Sequence, residues 1–317
     1  MLALPLQAQF SWLHKAILTE IPKLSVNRFH WLHRNSDHYA GSLAFSYANT
    51  DSTATVGGNA IVRGASVVIE AVTGEGTSVA EKNDFIAWAA AGSGGQGDLS
   101  FAGSIAINVV DMTFTATSGA NTQLKSTGNL TVQAENDMNP QSLAASAGFA
   151  AQKDTEDEEV YGGALTYANV DLDTTATIFG RADVANALKI SAAATIEPLV
   201  TTIPEIDIDI PFTALAVSGS VSGGDTAVAG AMAINDFDVI TQATIGSNAR
   251  INQDNIDGLP NPIVDSLTQS VLVEAIDLIN TTSVAGALGI AIDGTGVGAG
   301  LELGIFNRQT LARIGSG

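Results

Sequence analysis

The stretch Ala102-Gly-Ser-Ile-Ala-Ile-Asn108, running on through Val109 to Thr115-Ala-Thr-Ser-Gly119, decides how this chain is read. Its residues alternate. Phe101, Ile105, Ile107 and Val109 fall on one face of an extended strand, and Ala102, Ser104, Ala106 and Asn108 fall on the other. A large apolar face opposite a small one predicts a strand packed on one side and stacked closely on the other. The Val, Ile and Thr content favours strand over helix.

The stretch recurs. Gly41-Ser-Leu-Ala44 leads to Asn49 and Thr53-Ala-Thr-Val-Gly57; Gly163-Ala-Leu-Thr166 leads to Asn169 and Ala176-Thr-Ile-Phe-Gly180. Gly230-Ala-Met-Ala233 leads to Asn235 and Ala243-Thr-Ile-Gly246, and Gly300-Leu-Glu-Leu303 leads to Asn307 and Ala312-Arg-Ile-Gly315. The anchor alanines 54, 116, 176, 243 and 312 lie 62, 60, 67 and 69 residues apart. A second motif follows the first four anchors: Val67-Val-Ile-Glu-Ala71, Leu130-Thr-Val-Gln-Ala134, Leu188-Lys-Ile-Ser-Ala192 and Val271-Leu-Val-Glu-Ala275. Two motifs kept in order at one period predict a stacked architecture, each unit covering its neighbour's apolar surface.

The expected fold is therefore all-β, a parallel β-helix or related β-solenoid of imperfect 60–70-residue repeats. Units are counted as 41–80 (partial), 81–137, 138–196, 197–281 and 282–317 (partial), each with about four strands. Helix is expected only in the leader and in the 255–280 region. Gly57, Gly119, Gly180 and Gly246 end apolar runs as turn glycines do. Asn49, Asn108, Asn169 and Asn235 read as turn-flanking amides that stack up a column. Residues 252–268, with Pro260 and Pro262, read as an insertion; Glu205 to Ile210, between Pro204 and Pro211, reads as an edge strand. The chain stops in mid-unit, which reads as a fragment of a longer protein.

Residues 1–40 differ from the rest. They hold all four histidines, two of the three tryptophans, and four of 13 Lys/Arg residues against Glu20 and Asp37. They read as a non-repeat leader, either a short helix before Pro22 or an ill-defined end.

Composition excludes several function classes. A net charge of −20 repels nucleic acid. With no cysteine there is no disulfide framework, thiolate metal site or cysteine nucleophile. No apolar run reaches the length of a transmembrane helix.

Chemistry-bearing motifs are sparse. Asp154, Glu156, Asp157, Glu158 and Glu159 form an acidic run that could gather calcium weakly; its spacing fits no dedicated loop, and a solvated turn is the simpler reading. Asp171/Asp173 and Asp236/Asp238 are carboxylate pairs of the kind glycoside hydrolases use, but they recur at equivalent places after Asn169 and Asn235, read as turns. Gly294-Thr-Gly-Val-Gly298 lacks the helix a dinucleotide loop needs. Thr53-Ala-Thr55, Thr115-Ala-Thr117 and Thr175-Ala-Thr177 resemble the threonine rows of ice-binding solenoids, too sparsely if each unit holds several coils. No cofactor is assigned.

The series Ala-Gly-Ser-Ile-Ala-Ile-Asn-Val-Val, Thr-Ala-Thr-x-Gly and Gly-Asn-Leu-Thr-Val-x-Ala resembles the β-strand repeats of giant bacterial filamentous adhesins and of leukotoxin- and haemagglutinin-like exoproteins. The resemblance spans residues 41–317 and departs at the 252–268 insertion and in lacking a secretion domain. It implies an extracellular or cell-surface stalk or passenger without catalysis. The implied partners are a host-cell or matrix ligand, or other repeats of the same chain. The alternatives are a polysaccharide-acting enzyme on a β-helix, or a calcium- or ice-binding solenoid.

Overall fold

The computed structural model describes residues 27–30, 37–73, 83–95, 98–150, 158–203, 208–253 and 269–316. They contain strands and no helix. The helix expected within 255–280 is not formed at its described end, where Ser270–Ile279 is strand. Register explains this: Ser270–Ile279 pairs residue for residue with Ala187–Ile196, so ladder hydrogen bonds decide the backbone there. The leader up to residue 26 lies outside the described residues.

Three parallel sheets make up the body. The front sheet stacks five long strands: His38–Val56, Leu99–Ser118, Glu159–Ile178, Thr226–Ile245 and Thr295–Ile314. The back sheet is centred on Leu130–Ala150; Val67–Val72 and Asn83–Gly95 pair with it on one side, Ala187–Ile196 and Ala214–Ser222 on the other. A narrow corner sheet joins them, built from Ile61–Gly64, Gln123–Ser126, Arg181–Val184 and Arg250–Ile251. The chain runs front, corner, back and front again, in a β-solenoid-like architecture.

One repeat is one coil. The anchor alanines 54, 116, 176, 243 and 312 occupy a single column of register partners. The four strands expected per unit are present in the first coil, from His38–Val56 to Asn83–Gly95, and in the fourth, from Thr226–Ile245 to Ser283–Ala291, whereas the second coil has three. In the second coil the Leu130 motif and the Ala-rich run before the third anchor form one continuous strand, Leu130–Ala150. The units counted from sequence therefore share the coil's period but are cut within the back sheet.

The core has two parts of different thickness. Near the corner sheet it holds Phe114, Phe237, Met112, Leu172, Leu130 and Ile190, all fully buried. Toward the other end of each long strand it is nearly all alanine, including Ala106, Ala144, Ala164, Ala216 and Ala233. Small side chains let the front and back sheets close on each other, so the coil tapers to a wedge.

The turn glycines hold the corner for differing reasons. Gly180 has φ +73°, which disfavours a side chain. Gly119 lacks a positive φ. A Cβ there would lie 2.8 Å from the Gly58 backbone nitrogen in the coil below. Close coil approach, not backbone handedness, requires that glycine. Asn59 and Asn248 take the left-handed turn positions after Gly57 and Gly246.

The asparagine column is not formed. Asn108 pairs in register with Ser46 and Ala168, and Asn235 with Ala168 and Gly304. Asn108 and Asn235 are buried in mid-strand, where Asn108 Nδ2 donates to Phe85 O at 2.7 Å and Asn235 hydrogen-bonds Ser283. They mark the border between the two parts of the core. Asn169 and Asn49 face outward on neighbouring columns, because the asparagine-to-anchor spacing differs between repeats by an odd number and so changes face.

One excursion leaves the coils among the described residues. Leu199–Ile203 and Ile208–Phe212 pair antiparallel as a separate ribbon, as expected of an edge strand beside Pro204 and Pro211. Gln141 Nε2 donates to Leu199 O and Thr201 Oγ1, tying the ribbon to the second coil. Residues 254–268, most of the insertion read from the sequence, lie outside the described residues; Gln253 and Gln269 on either side hydrogen-bond to Arg181 and Val184 of the corner sheet.

Candidate interaction surface

The outward face of the front sheet carries a set of exposed apolar side chains that could meet a partner. Because the strands are parallel and in register, equivalent residues form columns along the solenoid, with strands about 4.8 Å apart. The first apolar column is Tyr39, Phe101, Tyr161, Val228 and Val297. Next comes a glycine column: Gly41, Gly103, Gly163 and Gly230, ending in Ala299. Beyond it stand Leu43, Ile105, Leu165, Met232 and Leu301, then Phe45, Ile107, Tyr167, Ile234 and Leu303.

The small face of the strand is the covered one. The Phe101, Ile105, Ile107, Val109 face looks outward, and the Ala102, Ser104, Ala106, Asn108 face is buried. Alternation distinguishes two faces of a strand but does not say which one is covered. The glycine column was part of the repeat motif from the start, and it is the signal that could have identified the outward face. A glycine at the same place in four repeats, flanked two residues away by large apolar groups, forms a trough.

That trough is an open groove of about 950 Å³, crossing all five strands. Its floor is glycine, and its walls are Phe101 on one side and the Leu43 to Leu301 column on the other. Gly163 and Gly230 have open space where a Cβ would project, and neither has a positive φ. Neither backbone strain nor packing among the described residues requires glycine there.

Further along the same strands the outward face becomes polar. Asn49, Asp111, Asp171, Asp238 and Asn307 form one column. Its two asparagines cap the acids: Asn49 Nδ2 donates to Asp111 Oδ2 at 3.3 Å, and Asn307 Nδ2 donates to Asp238 Oδ2 at 3.1 Å. Asp171 at the centre has its pKa raised by partial burial first, then by Asp111, Asp238 and Asp173. The carboxylate pairs Asp171/Asp173 and Asp236/Asp238 thus sit in mid-strand, not in turns, because the strands run unbroken through the expected turn after each asparagine. Each pair is spread along an open sheet surface. Tyr167 OH donates to Asp236 Oδ2 at 3.4 Å, and the pKa of Tyr167 is raised by partial burial and then by that carboxylate.

The threonine rows stand closer than the sequence implied. With one coil per repeat, Thr53, Thr115 and Thr175 lie on adjacent strands, as do Thr55, Thr117, Thr177 and Thr244. The columns then end at Gln242 and Leu311, and at Arg313.

Of the weak calcium candidates, Asp154, Glu156 and Asp157 lie outside the described residues. Glu158 is buried, not a solvated tip. Its carbonyl accepts Thr226 N and Ser222 Oγ, both at 3.1 Å, because it begins the seam between coils. Glu159 is exposed and accepts the Tyr161 hydroxyl at 3.0 Å. Among the described residues no group of three or more histidines and carboxylates gathers as a metal site. The Gly294–Gly298 segment leads into the strand Thr295–Ile314, as its sequence implied. Among the described residues no helix is long and apolar enough to cross a membrane.

No protein-family model, curated protein or solved structure matches the chain.

Proposed function

We propose that this chain is a parallel β-helix, a non-catalytic structural and adhesive segment of a secreted or cell-surface bacterial protein. One observation carries the reading: each repeat is one coil, and successive coils stack in register over the full length of 19- and 20-residue strands. Such a stack grows by adding coils without redesign, which suits a stalk. Its outer strand, Thr295–Ile314, has a described partner only on the Thr226–Ile245 side. Phe306 there is 47% exposed, whereas Phe237 in the same column is 0% exposed. The acidic and threonine columns give the outside a patterned surface for a host or matrix ligand.

The enzymatic alternative needs two carboxylates flanking a bound sugar in a cleft. Here the groove is apolar, and the carboxylates stand on a flat surface several columns away.

The test pairs two assays on the purified chain. Immobilised matrix and cell-surface preparations should retain it, while a polysaccharide panel incubated with it should release no new reducing ends. Release of reducing ends, abolished by Asp171→Asn or Asp238→Asn, would replace this reading with the enzymatic one.

A further inference from the structure

We infer that the apolar half of the front sheet is an interface between two copies of this chain, packed face to face with the leucine ridge of each in the glycine groove of the other. The first argument is area. Four columns across five strands span roughly 20 Å by 19 Å between outer residues, or about 600 Å² with their side chains. One partner in a standard stable interface buries about 800 Å², and isolated monomers rarely expose apolar patches of this size without use. Tyr39, Leu43, Phe45, Phe101, Ile105 and Leu301 are each at least 39% exposed within it.

The second argument is shape. A two-fold interface must be complementary to itself, so a ridge needs a matching groove related to it by the axis. Here the ridge Leu43, Ile105, Leu165, Met232, Leu301 lies directly beside the groove Gly41, Gly103, Gly163, Gly230, and both cross the same strands. An axis in the interface plane, parallel to the groove and midway between the two columns, exchanges them at every coil level. It also sets the Phe101 column against the Ile107 column, aromatic on aliphatic. Glycine in a strand interior weakens the sheet and marks places where another chain comes close. That accounts for Gly163 and Gly230, which have room for a side chain within their own chain.

The third argument is charge. Each copy carries −20 and would repel another unless its acids stay clear of the contact. The same axis carries the Asp111, Asp171, Asp238 column past the first residues of the opposing strands. Those three carboxylates therefore remain in solvent, and Asp236, one column nearer, stands at the rim of the contact.

Sedimentation velocity on the full chain across a concentration series tests this. The parent should form a dimer. The double variant Gly163→Val, Gly230→Val fills the groove in open space and should raise the dimer dissociation constant at least tenfold, with a melting temperature no lower than the parent's in protein dilute enough to be monomeric. Met232→Lys, which puts a charge on the ridge, should do the same and covers the case in which the double variant folds poorly. A parent that stays monomeric, or a dimer indifferent to these substitutions, would overturn the proposal. So would a monomer that carries an acyl chain in native mass spectrometry, because the groove would then be a lipid site. Assemblies that grow beyond two and ignore the groove variants would assign association to the open Thr295–Ile314 edge and would also overturn it.

Discussion

The two halves of Leu99–Ser118 are built on opposite plans. In the first half the bulk points out: Phe101, Ile105, Ile107 and Val109 face solvent, and Ala102 and Ala106 face the core. In the second half the bulk points in: Val110, Met112 and Phe114 are buried, and Asp111, Thr113 and Thr115 look outward. The large apolar residues change parity between Val109 and Val110 while the strand runs on unbroken. The same change occurs between Tyr167 and Val170, between Ile234 and Phe237, and between Ile305 and Phe306. The difference teaches that core thickness, not hydrophobicity alone, decides which way an apolar residue points. Where the corner sheet holds front and back sheets apart, large side chains fill the gap. Where the sheets meet, only alanine fits, and the remaining apolar bulk is left for an outside partner.

The comparison is most sharply broken by exchanging the two phenylalanines for alanine. Phe114→Ala removes a fully buried ring from the thick core and should cost about 3–5 kcal/mol. Phe101→Ala, measured in protein dilute enough to be monomeric, should change stability by about 0.5 kcal/mol or less. Urea unfolding of both variants checks this. Equal losses would mean that the Phe101 face is packed within one chain, and the distinction between the halves would fail.

Glycines give the next largest contrast. Gly119→Val should destabilise by about 1–3 kcal/mol, because its Cβ would press on the Gly58 backbone of the neighbouring coil. Gly163→Val should be neutral or stabilising in the monomer, since Gly163 is in mid-strand with nothing near its Cβ position. Thermal melting of the two separates a glycine that this chain's own turn needs from one that it does not.

Much of the fold was legible in the sequence. The period, the strand character and the register all follow from aligning Ala54, Ala116, Ala176, Ala243 and Ala312, which the structure places in one column. The surface was less legible, for three physical reasons. Alternation is symmetric, so Phe101 to Val109 could equally have faced in. The length of a coil is not contained in the length of a repeat, and so Thr53, Thr115 and Thr175 looked too far apart to be neighbours. Short polar residues read as turn markers, yet Asn108 lies within a 20-residue strand because its amide hydrogen-bonds the Phe85 carbonyl of the facing sheet.

The smallest expected effect concerns the acidic column that separates the two kinds of outward surface. Asp171 lies in register between Asp111 and Asp238, with like charges about 4.8 Å away on both sides. Its pKa is raised, first by partial burial and then by these neighbours and Asp173. A raised carboxyl pKa means the folded chain binds that proton more readily than the unfolded chain. Asp171 therefore costs stability above its folded pKa. The cost fades as pH falls through that value and is gone below the unfolded carboxyl pKa of about 3.9. Asp171→Asn should thus stabilise the monomer at pH 7 by about 0.2–1 kcal/mol, the scale of one cross-strand charge pair. Asn49 and Asn307 already occupy the same column, so the amide fits the site. The gain should shrink in 1 M salt, where screening acts over about 3 Å, and vanish near pH 3. Denaturant melts at pH 7 and pH 3, each at low and high salt, measure all four corners. A gain that survived both low pH and high salt would come from new amide hydrogen bonds. Charge would then not be what distinguishes the outer face of the thick half from the apolar face of the thin one.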